Sequence, residues 1–343
     1  MYSFILSLCV LLFFAVSVFW KYERRPHQDL QRETFLQDLN NLRGIFALDI
    51  VIGHVIRFER SILYPLGKFM ICSVAFFFFV SAFGMAVSFE KKPDYVNCRF
   101  IIAKPVYLII LSVVIFAFNV GVDVICPNNL RYLTRPLYHT YLIETNWYIW
   151  DLIFYYLLFF LAYKYFYRFH ILFITVTIVL QVIILYMNGF SEAWLASSFA
   201  FPFGLFVGEY FDAIKKFFFS GKGIVATVLL SLFGLSSLFV TTENMFSLVF
   251  MRNAICLATI IILLYFCRFF RLGNNVVARY LNQYATEMFL LQFVWLRLTE
   301  SYGWHYTIRV MVVLFATWIS AILLHPIVIT IKKSLLRITS PGI

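Results

Sequence analysis

Charge is scarce in this sequence. Only 13% of its 343 residues are Asp, Glu, Lys or Arg, whereas 62% are hydrophobic and 20% are aromatic. A soluble domain of that size and composition would expose large apolar patches, so the chain reads as an all-α, polytopic membrane protein. Cysteine pairs are wanting too. Cys9, Cys72, Cys256 and Cys267 fall within or at the ends of apolar runs, Cys98 sits in a basic loop, and Cys126 stands alone in a loop on the opposite side. A structural disulfide is therefore not expected, and no CxxC or Cys/His spacing suggests a metal site. Also missing are an internal repeat, a low-complexity linker, and any stretch between the apolar runs long enough to fold as a soluble catalytic domain. The net charge of +11 does not point to nucleic acid. The basic residues lie in short clusters between apolar runs, as in loops facing an anionic leaflet.

Crossing a hydrocarbon core of ~30 Å takes about 17 to 25 helical residues. Runs of that kind occur at 3–20, 43–63, 68–89, 101–122, 146–163, 171–187, 193–211, 223–240, 247–267, 284–298 and 308–330, so about eleven transmembrane helices are expected. Those at 43–63, 193–211 and 284–298 carry charges, glycine or proline, which are tolerated only where neighbours or water satisfy them. The first run, SFILSLCVLLFFAVSVFW, has no basic residue before it and KYERR after it. That is the charge order of an uncleaved anchor with its N-terminus outside. Residues 1–20 then form the anchor, 21–42 a basic cytoplasmic linker, 43–331 the membrane domain and 332–343 a basic cytoplasmic tail. This arrangement leaves 20 Lys and Arg inside and 8 outside, a positive-inside bias. The expected location is a cell membrane, such as the inner membrane of a bacterium.

The stretch NNLRGIFALDIVIGHV, Asn40 to Val55, sets Arg43, Asp49 and His54 in or beside a span. An ionisable side chain in hydrocarbon costs roughly 3 to 17 kcal/mol, so such residues face a wet or partnered interior. Eleven steps of ~100° bring Arg43 and His54 within about 20° of one helix face, and about 16 Å apart along the axis. Asp49 points about 120° from Arg43, towards a different neighbour. Gly44 and Gly53 allow a helix to approach closely. An imidazole held away from water stays neutral and able to take a proton, as a general base must. The plainer alternatives are a histidine bonded to a neighbouring helix and an arginine anchored at the interface.

LRGIFALDIVIGH resembles the first core helix of the acyltransferase-3 family of integral membrane O-acyltransferases, whose signature is an arginine, ten residues, then a histidine. FFFFVSAFGMAVSF (Phe76 to Phe89) is similar to the family's next helix, and NCRFIIAKPVYL (Asn97 to Leu108) to its basic entry into the third. NWYIWDLIFYYLLF (Asn146 to Phe159) is similar to its aromatic helix, and YLNQYATEMFLLQF (Tyr280 to Phe293) to its late Ser-x-Glu-x-Tyr-Leu-x-His-like segment. The resemblance runs from Asn40 to Ile331 and leaves the first span as an addition to the family's ten core helices. It has departures. Ile102 stands where a second arginine is common, and Ala285 and Gln292 stand where serine and histidine often occur, although Glu287 matches.

The resemblance implies transfer of an acyl group, usually acetyl, from cytoplasmic acyl-CoA to a hydroxyl of a cell-envelope or exported glycan, with no metal. On that basis His54 and Arg43 are the candidate catalytic residues. Arg43, Arg99 and Lys104, clustered at the inner edge, would hold the CoA phosphates. Glu287, Asp49, Asp151 and Trp147 are supporting candidates. Asp151 and Glu287 read more simply as helix–helix partners than as catalytic groups, and Trp147, Tyr148 and Trp150, which could stack on a sugar, more simply as an interfacial aromatic belt. Glu209 reads as an interface residue, and His170 and His325 as helix-end residues without a special role. Expected partners are membrane lipids and the glycan or glycolipid acceptor; some members carry an esterase-like domain, and here either the membrane domain acts alone on its acceptor or a separate protein of glycan assembly finishes delivery. Two other function classes remain open. One is a glycolipid or polysaccharide transporter or flippase without acyl chemistry, for which the usual repeat is absent; the other is a membrane partner that has lost activity. Thioester consumption by the purified protein separates the enzyme from both.

Overall fold

Inside a bilayer a backbone must satisfy its own N–H and C=O groups, which a helix does within one segment. The computed structural model describes residues 12–13, 15–20, 23–24, 30–56, 64–92, 96–126, 147–236 and 244–338. Its helices are α1 (Arg32–Ile56), α2 (Tyr64–Lys91), α3 (Cys98–Ile125), α4 (Trp147–Tyr165), α5 (His170–Met187) and α6 (Ala200–Glu209). They continue as α7 (Phe211–Phe219), α8 (Gly221–Ser236), α9 (Met245–Phe269), α10 (Val276–Gln283), α11 (Ala285–Ser301) and α12 (Tyr306–Ile338). The only strands among the described residues are β1 (Glu23–Arg24) and β2 (Phe270–Arg271), paired antiparallel. The fold is an all-α membrane bundle, and 6 of the described helices are by themselves long and apolar enough to cross.

Several helix starts are written locally. Asn97, Asn244 and Asn275 sit just before α3, α9 and α10, and each side chain accepts a hydrogen bond from a first-turn backbone N–H. That satisfies donors the helix itself cannot. Other boundaries differ from the sequence expectation. α1 begins at Arg32 rather than Arg43, because Phe35, Leu39 and Leu42 continue its buried face into the expected linker. α12 runs on to Ile338 through the expected tail. The run at 193–211 becomes a 3₁₀ turn at Glu192–Trp194, further turns, and then the 10-residue α6. At about 1.5 Å per residue that helix covers only half of a ~30 Å core. Helices α7 and α10 fall where loops were expected. The expected anchor lies largely outside the described residues.

α1 and α2 form the centre and are largely buried, whereas the peripheral α5 is largely exposed. Lipid is as apolar as leucine, so close packing and internal polar bonds hold such helices together. In α2, Phe76 to Phe79 and Phe83 are all buried. Phe78 stacks on Tyr148 of α4 at 5.0 Å and meets Tyr155 edge-on at 5.1 Å. Small residues bring backbones together where a side chain would not fit. A Cβ on Gly204 of α6 would lie 2.4 Å from the Phe79 carbonyl oxygen, and one on Gly44 of α1 would lie 2.3 Å from the Leu281 backbone of α10.

Polar groups also tie the helices. Arg297 of α11 donates to Asn119 of α3 and forms a buried ion pair with Asp123 of the same helix. Glu209 at the end of α6 accepts from Tyr163 of α4 and from His170 of α5, the latter at 2.7 Å. The Gly44 contact gives a direct test. Gly44→Ala pushes α10 off α1, and overpacking of this kind costs about 1 to 3 kcal/mol. A lower midpoint in thermal unfolding of the purified protein is expected; an unchanged midpoint would refute the close approach.

Candidate active site

Arg43 lies midway along α1, with neighbours supplied by helices distant in sequence. Its Nη2 donates to Thr286 Oγ1 of α11 at 3.5 Å, a long and weak bond, and its guanidinium lies 5.4 Å from the Phe77 ring centre. Arg43 Nε is buried with no hydrogen-bond partner among the described residues. A fixed positive charge so little compensated by the described residues is an unfinished interaction.

The side chain borders a cavity of about 450 Å³ between α1, α2, α3, α4, α10, α11 and α12. Three cations line it: Arg43, Lys104 of α3 and Lys332 of α12. Asn40, Ser81, Tyr107, Tyr148, Asn282, Thr286 and Glu287 add hydroxyl, amide and carboxyl groups. Glu287 is 1% exposed, and its Oε1 accepts from the Tyr107 hydroxyl and from His325 Nδ1 of α12, each at 2.6 Å. The Lys332 ammonium lies 5.2 Å from the Tyr107 ring centre, which fixes the lysine against the wall. A polar, cationic cavity set among apolar helices suits an anion bearing several charged oxygens.

His54 is elsewhere. It occupies the last turn of α1, where its Nδ1 donates to the Ile50 carbonyl at 2.9 Å and its ring meets Phe293 of α11 edge-on at 5.0 Å. A carbonyl oxygen only accepts, so Nδ1 carries a proton, and in the neutral ring form that leaves Nε2 as the basic nitrogen. Ala47 and Ile50, which separate the two residues along this face, are completely buried. The structure therefore keeps Arg43, midway along α1, and His54, in its last turn, on one helix face with packed side chains between them.

The other candidates divide. Lys104 and Glu287 join Arg43 at the cavity. Arg99 falls in the first turn of α3, but its side chain lies outside the described residues. Asp49 turns to a different neighbour and accepts from Ser73 Oγ of α2 at 2.5 Å, beside a second cavity of about 250 Å³ that is mainly apolar. Asp151 accepts from Gln181 Nε2 of α5 at 2.9 Å and so acts between helices. Trp147 packs edge-on against Phe78 and Tyr148, and of that pair it is Tyr148 that reaches the cavity. Gln292 is fully buried and donates to the Phe289 carbonyl.

Sequence reasoning missed Tyr107, Thr286, His325 and Lys332. Tyr107 carried a usable signal, since it follows Lys104 by three residues and so shares its helix face. His325 and Lys332 carried none, because only the packing of α12 against α3 and α11 brings them here.

No curated protein and no solved structure matched this chain. The family model described as an acyltransferase domain, acyltransferase-3, matched residues 36–328. That interval takes in Arg43, His54 and every residue lining the larger cavity except Lys332. The chain belongs to the acyltransferase-3 family and is a membrane acyltransferase.

Proposed function

We propose that the cavity at Arg43 receives the phosphates of acyl-CoA, and that the chain transfers an acyl group of acetyl size to a hydroxyl of a cell-envelope or exported glycan. The observation that carries this reading is the convergence of Arg43, Lys104 and Lys332 on one cavity, with Arg43 Nε unpartnered among the described residues. Phosphate oxygens would complete the guanidinium's bonds. From there the pantetheine arm has the length to run along α1 towards His54, once the side chains packed between them part. The acceptor oxygen attacks the thioester carbonyl, a C–O bond forms and the C–S bond breaks. His54 Nε2 takes the hydroxyl proton, and the CoA sulfur leaves as a thiolate that is then protonated. The excess of Lys and Arg in alternate loops favours a cytoplasmic donor side and a cytoplasmic C-terminus.

Sealed membrane vesicles test function and orientation together. Acyl-CoA added to the medium should be consumed, with ester formed on the glycan, by inside-out vesicles and not by right-side-out ones. Consumption by neither would favour a transporter without acyl chemistry, and consumption only by right-side-out vesicles would reverse the orientation.

A further inference from the structure

A carboxylate stands among the cations of the cavity, and its restraint calls for an explanation. Glu287 follows Thr286, the residue that Arg43 bonds, so the carboxylate and the guanidinium approach the same wall. In a site of low dielectric an unrestrained carboxylate turns to the nearest cation. Among the described residues, however, Glu287 forms no ion pair with Arg43, Lys104 or Lys332; its one such partner is His325. Both donors to Glu287, the Tyr107 hydroxyl and His325 Nδ1, converge on the same oxygen, Oε1. His325 stands behind Glu287 and is not part of the cavity wall. Its ring is steadied edge-on by Tyr284, 5.3 Å away, in the break between α10 and α11.

We infer that His325 is a positioning residue for the anion site: by tethering Glu287 towards α12 it keeps the carboxylate off the three cations and leaves them available to an anionic ligand. The inference rests on the donor-site reading above. Its physical content is a competition. An internal carboxylate and an external phosphate contend for the same guanidinium and ammonium groups, and the imidazole N–H biases the outcome towards the phosphate. Tyr107 holds the same oxygen, but it also forms part of the wall, so only His325 can be altered without touching the ligand.

The test is equilibrium binding of CoA to the purified full-length protein in detergent. Wild-type protein should bind CoA, and His325→Ala should bind it roughly tenfold more weakly, as Glu287 swings onto the cations. His325→Gln, whose amide can still donate, should retain most of the affinity. Adding Glu287→Gln to His325→Ala should restore binding to near the wild-type value, because a neutral amide does not neutralise the cations. Glu287→Gln alone removes the same charge with the tether intact, so the recovery is read against that single variant. Should His325→Ala fail to fold, His325→Phe removes the donor while keeping the volume, and carries the same expectations. Wild-type affinity in the single variant, or no recovery in the double variant, overturns the positioning role alone. Absence of CoA binding by the wild-type protein overturns the donor-site reading and this inference with it.

Discussion

Substituting His54 with alanine is expected to lower acyl transfer by about 10²- to 10⁴-fold per molecule of folded protein, the usual contribution of a positioned base. A sugar hydroxyl is a poor nucleophile at neutral pH, and no other imidazole is found on the Arg43 face of α1. The Nδ1 bond to Ile50 fixes the tautomer that presents Nε2. The ring's described contacts include a bond to the helix's own backbone and an edge contact with Phe293, so transfer is read per unit of folded protein. CoA binding should survive, since His54 does not line the cationic cavity. Loss of CoA binding in step with transfer would show that His54 belongs to donor binding rather than proton transfer.

Arg43→Ala should have the complementary effect. A charge-assisted bond from guanidinium to phosphate contributes roughly 1.5 to 3 kcal/mol, so CoA affinity should fall about ten- to a hundredfold. Stability should hold, because the only hydrogen bond lost to a described residue is the long one to Thr286 and a poorly compensated charge is removed from the interior. Arg43→Lys keeps the charge but not the planar fork, and should fall between the two. Calorimetric titration with CoA, read alongside the thermal midpoint, checks this. Unchanged affinity, or affinity that declines only as folded protein declines, would reassign Arg43 to the scaffold.

Much of the site's outline could be read in the sequence because it rests on helical geometry. The ten-residue gap between Arg43 and His54 fixes their common face and their separation whatever surrounds them, and the same arithmetic turns Asp49 towards Ser73. Lys104 and Glu287 were legible through local motifs. Which helices meet was not. His325 reaches Glu287 across 38 residues and Tyr107 reaches it across 180, and no local pattern encodes such pairings in a bundle where lipid and protein are equally apolar. The aromatic run at Trp147 shows the same limit on a small scale. Its composition announces packing, but only the register against α2 decides that Tyr148 reaches the cavity. The shortness of α6 was hidden for a related reason. An apolar stretch of spanning length looks alike whether it is one helix or a buried turn followed by a short helix seated on Phe79 through Gly204.

The division of labour along α1, with the donor held at Arg43 and the proton taken at His54, is tested most directly by ester formed per unit of folded His54→Gln protein. Glutamine keeps hydrogen-bonding capacity and much of the volume, but has no comparable basicity. If His54 is the base, this variant folds, binds CoA like the wild type, and is nearly as inactive as His54→Ala. A His54→Gln protein that forms ester at the wild-type rate, with activity across variants following only their abundance, would contradict proton transfer by this residue.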